Sequence, residues 1–302
     1  MRRFWPLLLF IVIFAIIALK PDTQQAIKPH VSEPQRIITL APSITETAFA
    51  LGLGDKIIAV TDYCDYPAAT QDLPKVGGFV NPNLEAIVGL QPDLVILLAE
   101  HQNVIKQLQQ LNIATFTVNN NTLAGIRTSI EQIGQRTGQQ EQAETLNKTI
   151  QQKIQHIQTK TTGLARPKVM LAMGHSLGDD QMRSVFIAGN NDFYNDLIYL
   201  AGGENAYQDS RLKVPSFSAE GLLKLNPDII FDIFPDAHEH DYDLDQVKKQ
   251  WQSLELITAV KNDQIHIIEQ GYATIPGPRI FMLLEQMAPL IHPELDWHNS
   301  HD

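Results

Sequence analysis

The chain has 302 residues, a formal net charge of -11 and one cysteine. That length accommodates one large domain or two ordinary ones, and 44% hydrophobic with 19% charged residues is the balance of a folded globular protein. With no basic stripe to displace phosphate counterions, nucleic acid is excluded as a partner, and a lone Cys64 excludes an internal disulfide.

The first elements are N-terminal. Arg2 and Arg3 precede an apolar run from Leu7 to Leu19 that ends at Lys20 and Pro21, the layout of a secretory signal. Gln24 stands where a cleavage site after Ala26 would want a small residue, so residues 1–20 read as a signal sequence or, where retained, a membrane anchor. Cys64 lies far beyond this region and is not placed to receive a lipid. Pro21, Pro29 and Pro34 among polar residues mark 21–34 as a tether.

From Arg36 strands alternate with helices. Arg36–Leu40 reads as a strand, followed by a capping box at Ser43 and Glu46 and a helix through Ala48, Phe49 and Leu51 that Gly52 and Gly54 stop. Ile57–Val60, Asp93–Leu98 and Ala114–Val118 are further strands; Asn83–Leu90 and Val104–Leu111 are the helices between them. Such alternation predicts a parallel sheet covered on both faces. Between Gln139 and Thr161 the apolar positions are Ala143, Leu146, Ile150, Ile154 and Ile157, a narrow stripe on an otherwise polar helix. That pattern suits a rod between two domains. The α/β pattern then resumes with a strand at Lys168–Met173, a helix at Phe193–Leu200 stopped by Gly202 and Gly203, and a strand at Gln264–Ile268. The expected organisation is therefore an α/β lobe over 35–138, a bridging helix over 139–162, a second lobe over 163–292 and a tail over 293–302.

Two stretches repeat. Glu85-Ala-Ile-Val-Gly-Leu-Gln-Pro-Asp-Leu-Val95 matches Glu220-Gly-Leu-Leu-Lys-Leu-Asn-Pro-Asp-Ile-Ile230, with Glu, Leu, Pro and Asp at identical spacing. One copy on each side of the bridging helix points to related lobes.

Several motifs carry possible chemistry. Gly52-Leu-Gly54 ends a helix instead of opening one, so it is no dinucleotide loop. Gly174-His-Ser-Leu-Gly178 satisfies the serine-hydrolase elbow, with Ser176 as nucleophile. However, the β-rich Ser184–Ile187 follows where a helix is needed, and neither His266 nor His292 is placed as a base. A strand-to-loop turn is the preferred reading. His238-Glu-His240-Asp-Tyr-Asp243 offers metal ligands but reads first as an acidic surface loop, and no metal site is assigned. Tyr63, Tyr66, Phe79 and Phe186 lie in expected loops, where an α/β sheet binds ligands.

Over Arg36 to Ile291 the chain resembles the periplasmic binding proteins of cobalamin, haem and siderophore importers. The resemblance rests on Arg36–Leu53, Thr61-Asp-Tyr-Cys-Asp-Tyr-Pro67, Val76-Gly-Gly-Phe-Val-Asn-Pro-Asn-Leu-Glu85 and Ala201-Gly-Gly-Glu-Asn205, and is nearest the cobalamin branch. It implies two α/β lobes, each a mainly parallel sheet flanked by helices, joined by one long helix. It also implies a non-enzymatic, monomeric periplasmic protein that carries cobalamin as transported ligand, with no other cofactor, to ABC permease subunits in the inner membrane. Expected ligand contacts are Ser43, Tyr63, Phe79, Asn81, Phe186 and Tyr272. Expected docking residues are Glu85 and Glu220, the two that head the repeat. Val214 stands where that branch would have a tryptophan, and Phe79 where it would have a larger indole. The rival readings are a haem, ferric-siderophore or metal-ion carrier of the same architecture, and an exported serine esterase.

Overall fold

The computed structural model describes residues 33–175, 182–235, 237 and 242–297. Ser176, most of the His238–Asp243 loop, the signal region and almost all of the tether lie outside these. Four strands, β1 (Ile37–Thr39), β2 (Ile57–Val60), β3 (Leu94–Leu98) and β4 (Thr115–Val118), form the first sheet in the order β2-β1-β3-β4. Every pairing in it is parallel. All five residues of β3 are buried, as expected of a central strand covered on both faces. Helices α1 (Pro42–Ala50), α2 (Leu84–Gly89) and α3 (Gln102–Gln110) make the crossovers.

Two helices follow. α4 (Leu123–Thr137) was not read from the sequence, although Leu123, Ile126, Ile130 and Ile133 recur at helical spacing and are buried. Thr122 caps it by accepting from the Gly125 amide, and Gly138, in the left-handed region at φ 78°, ends it. The chain turns directly into α5 (Gln140–Thr161), 22 residues and so about 33 Å long. Ala143, Ile150, Ile154 and Ile157 of the expected stripe are buried.

The second sheet contains β5 (Lys168–His175), β6 (Ser184–Ile187), β7 (Glu204–Asn205), β8 (Ser216–Ser218), β9 (Ile229–Ile233) and β10 (Ile265–Ile268). Its order is β10-β9-β5-β6-β8, with β7 beside the start of β5. β10, β9, β5 and β7 pair in parallel; β6 and β8 add antiparallel pairs. Helices α6 (Phe193–Leu200), α7 (Ala219–Leu225), α8 (Leu244–Gln252), α9 (Thr258–Lys261) and α10 (Ile280–Ile291) surround it. Phe186, expected in a loop, lies in β6.

The repeat has a common geometry. Asn83 caps α2 and Ser218 caps α7, each accepting from the amide three residues on. Ile87 and Leu222 are the buried anchors of the two helices. Gln91 (φ 48°) and Asn226 (φ 42°) then take the left-handed turn before Pro-Asp. The Asp93 amide donates to the Arg36 carbonyl before β1, and the Asp228 amide to the Lys168 carbonyl at the start of β5. Asn112 and Asp263, both at φ 56°, precede β4 and β10. The four non-glycine positive-φ residues among those described therefore fall into two matched pairs, the signature of one unit used twice.

One buried apolar cluster includes Ile37 and Leu94 of the first sheet, Ile150, Ile154 and Ile157 of α5, and Val169 and Phe231 of the second. A second cluster around Met170 and Trp251 covers the other face of the second sheet, and a third around Ile38 and Val95 the other face of the first.

The capping box is corrected. Pro42 takes the first helical position of α1, so the helix begins two residues earlier and Ala41 is its cap. Ser43 is left inside the helix and cannot cap it. Glu46, 3% exposed, instead pairs with Arg279 of the second lobe at 2.6 Å.

Candidate ligand cleft

The carboxyl ends of strands from both sheets meet at one cleft, the position at which open α/β sheets bind ligands. Ala41–Ser43 follow β1, Asp62–Asp65 follow β2, Leu98–Glu100 end β3, and Val118–Asn121 end β4. From the second lobe come Met173 of β5, Asp192–Tyr194 at the start of α6, Pro235 after β9, and Thr274–Pro276 after β10. Two adjoining cavities of about 740 and 360 Å³ share Phe79, Leu98, Thr274 and Pro276.

Four of the expected contacts, Ser43, Tyr63, Phe79 and Asn81, line the larger cavity. Tyr63 is 67% exposed, while Phe79 is half-buried and sits edge-on to His101 with ring centroids 4.5 Å apart. Phe186 is 49% exposed on β6 and is not among the lining residues. Tyr272 also stands outside the lining; its hydroxyl lies 3.2 Å from Gln286 Oε1. Cys64, in the middle of the Asp62–Asp65 segment, points inward and is buried against Thr45 and Thr61, each hydroxyl 3.1 Å from Sγ.

The sequence reading missed three sets of residues. One is the run Asn119-Asn120-Asn121, whose signal was its place immediately after a predicted strand. Another is the set of lining carboxylates Asp62, Asp65, Glu100 and Asp192. Burial pushes the Asp192 carboxyl above the usual range, although it accepts from the Tyr194 amide. The last is the cross-lobe bridge. The Arg279 guanidinium stacks over the Tyr66 ring at 3.6 Å while bonded to Glu46, and burial raises the Glu46 carboxyl above its ordinary value despite that partner. Further cross-lobe bonds run from the Leu123 amide to Asp196, from Lys213 Nζ to Asn121 Oδ1, and from Asn120 Nδ2 to the Pro276 carbonyl.

Of the two residues expected to dock, Glu85 is exposed in the first turn of α2 and Glu220 exposed in the first turn of α7. Glu220 pairs with Lys224 at 2.8 Å one turn on; Gly89 occupies the matching place beside Glu85. No group of three or more His, Cys, Asp or Glu among the described residues could hold a metal ion, and no described helix is long and apolar enough to cross a membrane.

Two sheets opening onto a shared cleft, with a long helix between them, define a two-lobe binding protein. The periplasmic binding protein model matches residues 37–272, and the chain belongs to that family. It is 30% identical over 279 residues to an uncharacterised ABC transporter substrate-binding lipoprotein of Bacillus subtilis, YvrC, covering 87% of this chain and 81% of the relative. It is 29% identical over 272 residues to the vitamin B12-binding protein of Vibrio cholerae, covering 86% and 89%. The solved periplasmic haem-binding protein HutB of Vibrio cholerae superposes with a TM-score of 0.74 at 25% identity, covering 86% and 99%. The chain is thus a binding protein of ABC importer type, in a family of carriers, not enzymes.

Proposed function

We propose that the chain is exported to the periplasm, binds a corrinoid such as cobalamin between its lobes as a monomer, and delivers it to an inner-membrane ABC permease. One observation carries the choice of ligand. Every charged side chain among the described lining residues is a carboxylate, and Lys, Arg and His are absent from that lining. A corrin ring is edged with carboxamide arms whose N–H groups suit carboxylate and asparagine oxygens. Haem carries two propionates, which would meet no cation among the described lining residues. Tyr63 and Phe79 supply apolar wall for the macrocycle, with Ser43 and Asn81 beside them. Titrating purified protein with cyanocobalamin, haemin and ferric siderophores by calorimetry tests the reading. Saturable binding of cyanocobalamin is expected; saturable binding of haemin alone would replace this assignment by the haem-carrier one, which the HutB likeness keeps as the second reading.

Docking on the permease is assigned to Glu85 and Glu220. Their support is their equivalence in the duplicated unit, which gives each lobe one exposed carboxylate at the start of a capped helix.

A further inference from the structure

Asn120 follows β4 and lines the smaller cavity, yet is only 6% exposed. Half of its amide is committed to the protein. Nδ2 donates to Ser43 Oγ at 3.2 Å and, across the cleft, to the Pro276 carbonyl at 3.0 Å. Oδ1 is buried and accepts no hydrogen bond. Turning the amide over does not relieve this, because the Pro276 carbonyl is an acceptor only and would then face an oxygen at the same distance. The side chain is therefore fixed beside the smaller cavity with a buried acceptor that no protein donor meets. Around it the charged side chains among the described lining residues are all carboxylic: Glu100 and Asp192 in the same cavity, Asp62 and Asp65 in the adjoining one.

We propose that Asn120 is a specificity-determining residue of the cleft: its Oδ1 takes an N–H from a carboxamide of the ligand, and together with the surrounding carboxylates it rejects the same ligand once that carboxamide has become a carboxylate. The inference rests on the corrinoid reading given above. An amide brings the donor that the buried oxygen lacks. A carboxylate of nearly the same shape brings none and adds a negative charge, and a site whose buried polar group is left unpaired discriminates strongly.

The test compares cyanocobalamin with its separated monocarboxylic acids, in each of which one peripheral propionamide is hydrolysed, by calorimetry at neutral pH. At least one isomer should bind wild type about 100-fold more weakly than cyanocobalamin. In Asn120→Ala the same isomer should lose at least about tenfold of that discrimination, because the unpaired acceptor is gone. Equal binding of all isomers to wild type, or an unchanged ratio in a folded Asn120→Ala, would overturn the inference while leaving the corrinoid reading in place. Should Asn120→Ala not fold, Asn120→Ser, which keeps a donor for the Pro276 carbonyl but removes the buried amide oxygen, is read in the same way. If cyanocobalamin itself does not bind, the corrinoid reading fails and takes this inference with it.

Discussion

Glu46 occupies a buried place on α1 because its carboxylate is answered from the other lobe. Removing the answer should be severe. Arg279→Ala leaves a nearly inaccessible carboxyl without its cation, a change expected to cost about 3–5 kcal/mol. The sign of the pH effect follows from burial, which already raises the Glu46 carboxyl. Without Arg279 the folded-state value should rise further above the unfolded one. The folded state then binds the extra proton, and stability is lost as pH rises through that interval. Thermal unfolding of Arg279→Ala should therefore show its largest deficit against wild type near pH 8 and a smaller one near pH 5; a deficit independent of pH would mean that Glu46 is not the group left exposed to burial. Phe79→Ala belongs to the same scale. It should weaken cyanocobalamin binding by roughly 1–3 kcal/mol with little change in melting temperature, since the ring faces the cleft at one edge. At this scale the sequence was only partly legible. Tyr63, Phe79 and Asn81 could be placed beside a cleft from loop position and resemblance, whereas the Glu46–Arg279 pair spans 233 residues and has no local signal.

Among the elements, the α4–α5 hairpin depends on one small residue. A Cβ on Gly134 would lie 2.6 Å from the Ala143 Cβ and 2.8 Å from the Gln139 carbonyl oxygen, so α4 and α5 approach as closely as glycine permits. Gly134→Ala should force the helices apart and destabilise by about 1–3 kcal/mol, read as a lower denaturant midpoint; an unchanged midpoint would show that the hairpin relaxes freely. The duplicated elements set a test of docking. Arg at both Glu85 and Glu220 should abolish uptake in a reconstituted transporter and leave ligand affinity at the wild-type value, because opposed like charges repel across an interface. Lys224 already offsets Glu220, so Glu85→Ala should impair uptake more than Glu220→Ala. Equal impairment would show that the intrahelical pair opens on docking, and no impairment by any of these variants would move docking to another surface. The repeat was legible because caps, left-handed turns and Pro-Asp stops are local chemistry. The edge strand β8 was not, since its antiparallel pairing, Ser184 opposite Ser218, joins segments well apart in the sequence.

For the molecule as a whole, the apolar cluster that crosses from one sheet through α5 to the other makes the lobes thermodynamically dependent. Residues from Pro34 onward group as one compact unit. Calorimetry of the protein without ligand should give one cooperative transition, with van't Hoff and calorimetric enthalpies in agreement; two resolved transitions would show lobes that fold independently. The two-lobe architecture was the most legible part of the chain, since a single amphipathic rod between two α/β patterns leaves few other arrangements.

The shared core also bears on how an importer would use this protein. Lobes joined through a common interior and several cross-lobe bonds are expected to move little when the cleft fills, so that filled and empty forms would present nearly the same rim to a permease. Empty carrier would then compete for the same docking place as loaded carrier. The flux of ligand would depend on the fraction of carrier occupied, not on the amount loaded, and producing more of the protein at scarce ligand would slow import.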